Sequence, residues 1–165
     1  MYVTSLYAEG EGSYIEKNNP SWEQIRSVIH ALNGYHLSGL SIGKEYEEEK
    51  RKYDTKEFMY IAGGGENRSY ICNFYSYEDG YGEEDDSELI LYDPSKSWKG
   101  EEIAIVDVFL NFHPPARCLN IDTVLVAAET YSRFGKLDKS LHWGHYSSKS
   151  LNESPQPKII QVHPN

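Results

Sequence analysis

The stretch EFMYIAGGGENRSYICNFY, Glu57–Tyr75, contains two β-forming runs joined by a cluster of glycines. The runs Glu57–Gly63 and Ser69–Tyr75 are rich in aromatic and β-branched residues, which favour strands. The connection between them is short, whereas parallel strands need a crossover of a dozen or more residues. The stretch therefore predicts two antiparallel strands joined by a glycine-containing turn.

The glycine cluster, Ala62–Asn67, has a second interpretation as a phosphate-binding loop. Such a loop needs a helix N-terminus directly after the glycines, and usually a lysine. Here a strand follows the glycines instead. The sequence therefore favours a hairpin or a bulge in which glycine takes a positive φ.

Two segments carry helix signals at both ends. The first begins at a potential capping box, Ser21–Gln24, and is stopped by Gly34; the second begins at Asn120 or Asp122 and is stopped by Gly135. Apolar residues recur along one side of each segment at helical spacing. Both segments are therefore predicted to be amphipathic helices that pack on an apolar surface.

Further β-like runs lie on both sides of Glu57–Tyr75. They are Tyr2–Ala8, Leu37–Ile42, Glu88–Asp93 and the long run Glu101–Phe112. Short connections between most of these runs indicate antiparallel pairing. We predict an α+β fold with a twisted, mainly antiparallel sheet of about six strands and two helices packed on one face. Residues 1–146 are expected to form a single domain, and residues 147–165 a polar, flexible tail.

The composition narrows the classes of partner. The 165-residue chain has 26 acidic and 16 basic residues and a formal net charge of −10, which opposes binding of nucleic acid and suits a basic protein. Its two cysteines, Cys72 and Cys118, fit reduced thiols better than a disulfide framework. The sequence shows neither a signal peptide nor an apolar run of membrane-spanning length. We expect a cytoplasmic protein that binds neither membrane nor nucleic acid.

The segment YEDGYGEEDDSE, Tyr77–Glu88, holds seven carboxylates in twelve positions and no basic residue. It can be a solvated hairpin loop or, with less agreement in spacing, a calcium-binding loop. A third interpretation is a patch for a basic protein, with two tyrosines as aromatic anchors among the carboxylates. The candidate partner-binding residues of this patch are Tyr77, Glu78, Asp79, Tyr81, Glu83, Glu84, Asp85 and Asp86.

Candidate catalytic groups are few. His142 and His145 could share a metal ion in a suitable turn, but the sequence supplies no third ligand nearby. Cys118 could pair with a distant histidine as a nucleophile, but no local signature supports that chemistry. No nucleophile-elbow or zinc-protease motif is present. We therefore expect no catalytic residue, metal or cofactor.

Three segments in order, Pro20–Leu32, Met59–Phe74 and Val124–Trp143, resemble the Imm-one family of immunity proteins from bacterial polymorphic toxin systems. The chain departs slightly from the family pattern, which usually has phenylalanine at the position of Tyr131 and another residue at the position of Phe134. The positions that carry the resemblance are Trp22, Glu23, Gly63, Gly64, Gly65, Ala127, Ala128, Gly135, Leu137, Asp138 and Trp143.

The resemblance implies a small, non-enzymatic cytoplasmic protein that binds one toxin domain and occludes the active site of that domain. Cognate toxins of such families include nucleic-acid deaminases and nucleases, which are typically basic. It also implies a structural role for the motif residues: Gly135 ends the helix, Leu137 folds back on its last turn, and Trp143 seals the sheet edge or the helix groove.

Two other functions stay open at the level of sequence. One is a general protein- or peptide-binding module that uses a tyrosine-rich sheet face. The other is a small metal-dependent hydrolase that uses His142, His145 or Cys118, an idea that rests on residue types alone.

Overall fold

The computed structural model describes residues 1–44, 56–77, 88–107, 109–146 and 159–162. Its helices are α1 (Trp22–Ala31) and α2 (Ile121–Phe134), and Pro115–Arg117 forms a short 3-10 helix. Its strands are β1 (Ser5–Gly10), β2 (Ser13–Asn18), β3 (Gly39–Gly43), β4 (Lys56–Gly64), β5 (Ser69–Tyr77), β6 (Glu88–Tyr92), β7 (Ile103–Asp107), β8 (Phe109–His113), β9 (His142–Tyr146) and β10 (Ile159–Val162).

Within the described residues, the main sheet has eight strands in the order β10-β9-β6-β5-β4-β3-β1-β2, and every neighbouring pair is antiparallel. The predicted hairpin of β4 and β5 lies near the middle of this sheet. The prediction of an α+β fold with two helices on one sheet face is confirmed. The sheet also contains β2, β9 and β10, which the sequence pattern did not indicate.

The helices begin as the sequence predicts. In α1, the Ser21 hydroxyl accepts from the Gln24 backbone N–H, and the Gln24 side chain accepts from the Ser21 backbone N–H at 2.9 Å. The Asn120 side chain accepts from the Thr123 N–H at 2.8 Å and caps α2. The end of α1 differs from prediction, because the helix ends at Ala31 and the left-handed Gly34 lies in the loop that follows.

The main core lies between the helices and the sheet. Alternate residues of the central strands, such as Met59, Ile61 and Cys72, point to the helices and are buried with Ile25 of α1 and Tyr131 of α2. We call this side of the sheet the helix face. The intervening residues of the strands therefore point to the opposite side, which we call the second face.

A smaller core covers part of the second face. Ala62 of β4 and Ile71 of β5 pack there with Ile105 of β7 and with Cys118. The prediction of a single strand over Glu101–Phe112 is wrong. This run folds back on itself as β7 and β8, which form a separate two-stranded sheet. The apolar side chains on the second face of β4 and β5 explain why this hairpin packs there instead of extending the main sheet.

The glycine cluster serves close backbone packing. Gly63 and Gly64 have φ values of 123° and 83°, and a Cβ on Gly64 would lie 2.1 Å from the carbonyl oxygen of Leu32 at the end of α1. The turn Gly65–Arg68 then leads into β5. The chain at this point forms the hairpin that the sequence favoured, and the glycines allow it to lie against α1.

The C-terminal segment contributes a strand to the sheet. Ile159–Val162 pairs with Trp143–Tyr146, so four residues of the predicted flexible tail form the edge strand β10. Residues 147–158 and 163–165 of that tail lie outside the described part of the chain.

Candidate protein-binding surface

The β7–β8 hairpin has one side toward the sheet and one side toward solvent. Ile105 points to the sheet and is 3 % exposed. Ala104 lies opposite Phe112, and Val106 lies opposite Leu110. Because directly opposed residues of antiparallel strands share a face, and successive residues alternate, these four side chains form the outer side of the hairpin. We call this set of residues the hairpin face.

The hairpin face exposes large apolar side chains. Leu110 and Phe112 are each 59 % exposed. Phe109, which precedes Leu110 and therefore points to the other side of the hairpin, is 74 % exposed at its turn end. Neither apolar core includes any of the three. Single exposed apolar residues are common, but a contiguous group of them marks an interaction site in a folded protein. The hairpin face is therefore a candidate surface for another protein.

An acidic cleft adjoins one end of the hairpin face. It has a volume of about 360 Å³, and its lining includes Glu9, Glu11, Tyr35, Ser38 and Val106. Val106 belongs to both the cleft and the hairpin face, so the two surfaces are continuous. A hydrogen bond to Glu11 is the main cause that raises the pKa of the Tyr35 phenol. This cleft, which we call the Glu9 cleft, offers carboxylates and an aromatic ring to a cation.

A second acidic hollow lies at the other end of the hairpin face. It has a volume of about 630 Å³, and its lining includes Glu101, Glu102, Ala104 and Phe112. Here too the lining shares residues with the hairpin face. The Asn67 side-chain amide donates to the Ala104 carbonyl at 3.5 Å and links the β4–β5 turn to the hairpin. We call this the Glu102 hollow; the apolar hairpin face thus lies between two acidic depressions.

Tyrosines and carboxylates alternate on the neighbouring strands β1 and β2. The Tyr7 hydroxyl donates to Glu9 at 2.7 Å, and the Tyr14 hydroxyl donates to Glu16. The two tyrosine rings meet edge to face at 5.2 Å. In each case the hydrogen bond to the carboxylate is the main cause that raises the phenol pKa. This group, the exposed Tyr7, Tyr14 and Glu16 with the half-buried Glu9, extends the acidic aromatic surface beyond the Glu9 cleft.

The acidic segment predicted to bind a partner joins β5 to β6. Residues Glu78, Asp79, Tyr81, Glu83, Glu84, Asp85 and Asp86 lie outside the described residues, and Tyr77 is the last residue of β5. The base of this connection is described. The Glu88 carboxylate accepts from the Asn73 amide at 2.8 Å and from the Tyr75 hydroxyl at 2.9 Å, and Arg117 donates to Asn73 at 2.9 Å. These bonds lie on the second face and tie the ends of β5 and β6 together.

The histidines and cysteines are distributed through the fold. His142 and His145 are three residues apart in β9, so their side chains point to opposite faces of the sheet. The Cys118 thiol donates to the carbonyls of His113 and Pro114, and burial raises its pKa. Among the described residues, no group of three or more metal-ligating side chains is found. The structure therefore places His142 and His145 on opposite sides of β9 and not in one site.

The motif residues near the C-terminus surround a buried tryptophan. Trp143 is completely buried, and its indole N–H donates to the Asp138 carbonyl at 3.3 Å. Gly135 is left-handed with a φ of 66°, and Leu137 packs against the main core. The Asp138 carboxylate accepts from Ser140 and Thr130, and these bonds lower its pKa. At the other end of the motif set, Trp22 of α1 is also buried.

The hairpin face was not identified from sequence. The alternation in Glu101–Phe112 fits one long strand, and only the pairing of β7 with β8 brings Ala104 and Val106 beside Phe112 and Leu110 as one compact face. The apolar residues VFLNF in the second half of the run were the available signal, because a strand with both sides apolar needs two surfaces to cover it.

Comparisons with known proteins give no assignment: no family model, no curated protein and no solved structure matches the chain. In the part of the chain that the structure describes, neither helix has the length and apolar character needed to cross a membrane.

Proposed function

We propose that this protein is an immunity protein that binds a cognate bacterial toxin domain and neutralises it by occluding its active site. The toxin domain is basic, and a nucleic-acid deaminase or nuclease fits that description. The protein itself transforms no substrate. The observation that carries the proposal is the hairpin face, where Leu110 and Phe112 are exposed in a chain of net charge −10.

Two physical features support recognition of a basic protein. An exposed apolar group gains free energy when a partner covers it, at roughly 25 cal/mol for each Å² removed from water. Carboxylates around that group favour a positively charged partner and repel nucleic acid. A deaminase or nuclease that binds phosphates carries the complementary charge. The buried free thiols Cys72 and Cys118 are consistent with a reducing compartment, and we place the protein in the cytoplasm.

Co-expression tests the proposed function. The toxin is sought as the C-terminal domain of a secreted protein encoded immediately upstream of this chain. Cells that express this domain alone are expected to stop growing, and cells that express both proteins are expected to grow. Unchanged toxicity in the presence of folded, abundant protein would reject the proposal.

The acidic segment provides a further prediction. Neutral replacement of Glu83, Glu84, Asp85 and Asp86 is expected to slow association with the toxin domain, because these charges steer the encounter. The effect should be larger at low salt, since exposed charges are screened beyond about 10 Å at 0.1 M salt. Stopped-flow association rates at two salt concentrations measure this. Equal rates for the variant and the wild type would exclude a steering role.

A general peptide-binding module is the second candidate, and the exposed tyrosines Tyr7 and Tyr14 on β1 and β2 favour it. Such a module would bind several unrelated partners with similar affinity. Affinity measurements against the upstream toxin domain and against unrelated basic proteins separate the two functions. An immunity protein should prefer its own toxin by orders of magnitude.

A further inference from the structure

We infer that the hairpin face is the surface on which the toxin domain docks, and that it takes an apolar patch flanked by basic side chains. This inference rests on the proposed function and names the contact surface and its chemistry. The hairpin face consists of Ala104, Val106, Leu110 and Phe112, with the Glu9 cleft at one end and the Glu102 hollow at the other.

The two sides of the hairpin have different roles in the fold. Ile103 and Ile105 hold the hairpin on the second face, where they pack with Ala62 and Ile71. Leu110 and Phe112 contribute to neither core, although both are large and apolar. We infer that these two side chains anchor a partner, because apolar and aromatic residues at the centre of a protein interface contribute most of its binding energy.

The charges around the hairpin face favour one class of partner protein. Glu9 and Glu11 line the depression at one end, and Glu101 and Glu102 line the depression at the other. A partner that covers the apolar centre brings its rim over both pairs of carboxylates. Lysine or arginine side chains on that rim would form complementary contacts, whereas acidic side chains would be repelled.

A second copy of this chain fits the surface poorly. A two-fold dimer places the same patch of each copy against the other. Carboxylates that flank the hairpin face on both copies would then approach each other, between chains that each carry a net charge of −10. A membrane surface with anionic lipids meets the same repulsion. The charge arrangement therefore favours a basic protein over both alternatives.

The hairpin face and the acidic residues should act on different rate constants. Apolar contacts at the centre of an interface mainly set the dissociation rate, whereas charges at its rim mainly set the association rate. The hairpin face is thus expected to hold the complex together, and the carboxylates are expected to accelerate its formation.

Dissociation rates test the role of the apolar residues. The double variant Leu110→Ser/Phe112→Ser is compared with Phe134→Ser, which alters a 66 % exposed phenylalanine at the end of α2. Surface-plasmon resonance with the upstream toxin domain should show dissociation faster by about tenfold or more for the double variant. The Phe134 variant should stay within about twofold of the wild type. Circular dichroism should show equal unfolding temperatures, since none of these side chains lies in a core.

Association rates test the role of the carboxylates. Glu11→Gln/Glu102→Gln removes one charge at each end of the hairpin face, and Glu23→Gln/Glu129→Gln removes two charges from the helices. Both variants have the same net charge. The first should associate about threefold to tenfold more slowly at low salt, with the difference lost at high salt, and the second should change little.

The outcomes separate the docking surface from the proposed function. Strong binding of the toxin domain with unchanged dissociation in the Leu110→Ser/Phe112→Ser variant would overturn this inference and leave the immunity function standing. Failure of the wild-type chain to bind or protect would overturn both. Self-association, or sedimentation with phosphatidylcholine vesicles, that the same double variant abolishes would assign the surface to a second copy or to a membrane and would also overturn the inference.

Discussion

Replacement of Trp143 by alanine should cause a large loss of stability. The indole is completely buried in the main core, where it lies opposite Leu91 across β6 and β9 and donates to the Asp138 carbonyl. A buried tryptophan removes about 150–250 Å² from water. At about 25 cal/mol for each Å² this corresponds to about 4–6 kcal/mol, which is an upper estimate. Buried Trp→Ala substitutions in other proteins lower the free energy of unfolding by about 3–5 kcal/mol, which supports a value near 4 kcal/mol here.

Urea unfolding monitored by circular dichroism measures this loss. With a slope of about 2 kcal/mol for each molar of urea, a loss of about 4 kcal/mol lowers the midpoint by about 2 M. The matched control is Trp98→Ala. Trp98 is half-buried on the loop before β7, where its ring lies 5.6 Å from that of Tyr92, and its loss should cost about 1 kcal/mol.

If the alanine variant does not fold, Trp143→Phe tests the same role of the indole. Phenylalanine retains most of the apolar volume but loses the indole hydrogen bond and leaves a small cavity, so a loss of about 1–2 kcal/mol is expected. Equal urea midpoints for the Trp143 and Trp98 variants would contradict this prediction. They would mean that Trp143 does not support the core, and a direct contact with the toxin would then become the better explanation for this residue.

Two other predictions concern stability. Gly64→Ala should lower the free energy of unfolding in urea by more than about 3 kcal/mol, because its Cβ would meet a backbone carbonyl at 2.1 Å. The control Gly12→Ala, which has a similar φ of 72° and open space around it, should lower it by only about 1–2 kcal/mol. Equal losses would contradict the packing role of Gly64. The lowered pKa of Asp138 stabilises the fold above pH 4, and this contribution is lost as the pH falls through the folded-state pKa. Asp138→Asn should therefore lower stability at pH 7 by at most about 1 kcal/mol, because solvent screens this carboxylate, and should flatten the acid side of the stability profile. Parallel profiles for the two proteins would contradict this.

The sequence predicts the elements whose signals are local. The capping box at Ser21, the cap at Asn120 and the left-handed stop at Gly135 are all found in the structure. These features depend on hydrogen bonds and φ values within a few residues, so the local sequence is sufficient to indicate them. The glycine turn between β4 and β5 was indicated for the same reason.

The edge strands of the sheet and the hairpin face could not be predicted from local sequence, because they depend on tertiary contacts. Ser13–Asn18 is mostly polar and becomes β2 because it pairs with β1, and Ile159–Val162 becomes β10 because it pairs with β9. Such pairing joins residues that the periodic pattern of one segment does not connect. The reversal within Glu101–Phe112 similarly depends on the apolar second face of β4 and β5. For the candidate site, the sequence indicated an acidic, aromatic patch in the segment Tyr77–Glu88, of which residues 78–87 lie outside the described part of the chain, and it gave no indication of the hairpin face.

We propose that the protein acts by binding and covering a toxin domain. The most direct measurement is a titration of the purified upstream toxin domain with this protein, with the activity of the toxin on its own substrate as the readout. We expect a linear fall in activity that reaches zero at one molecule of this protein for each molecule of toxin. Full toxin activity in a tenfold excess of folded protein would contradict it.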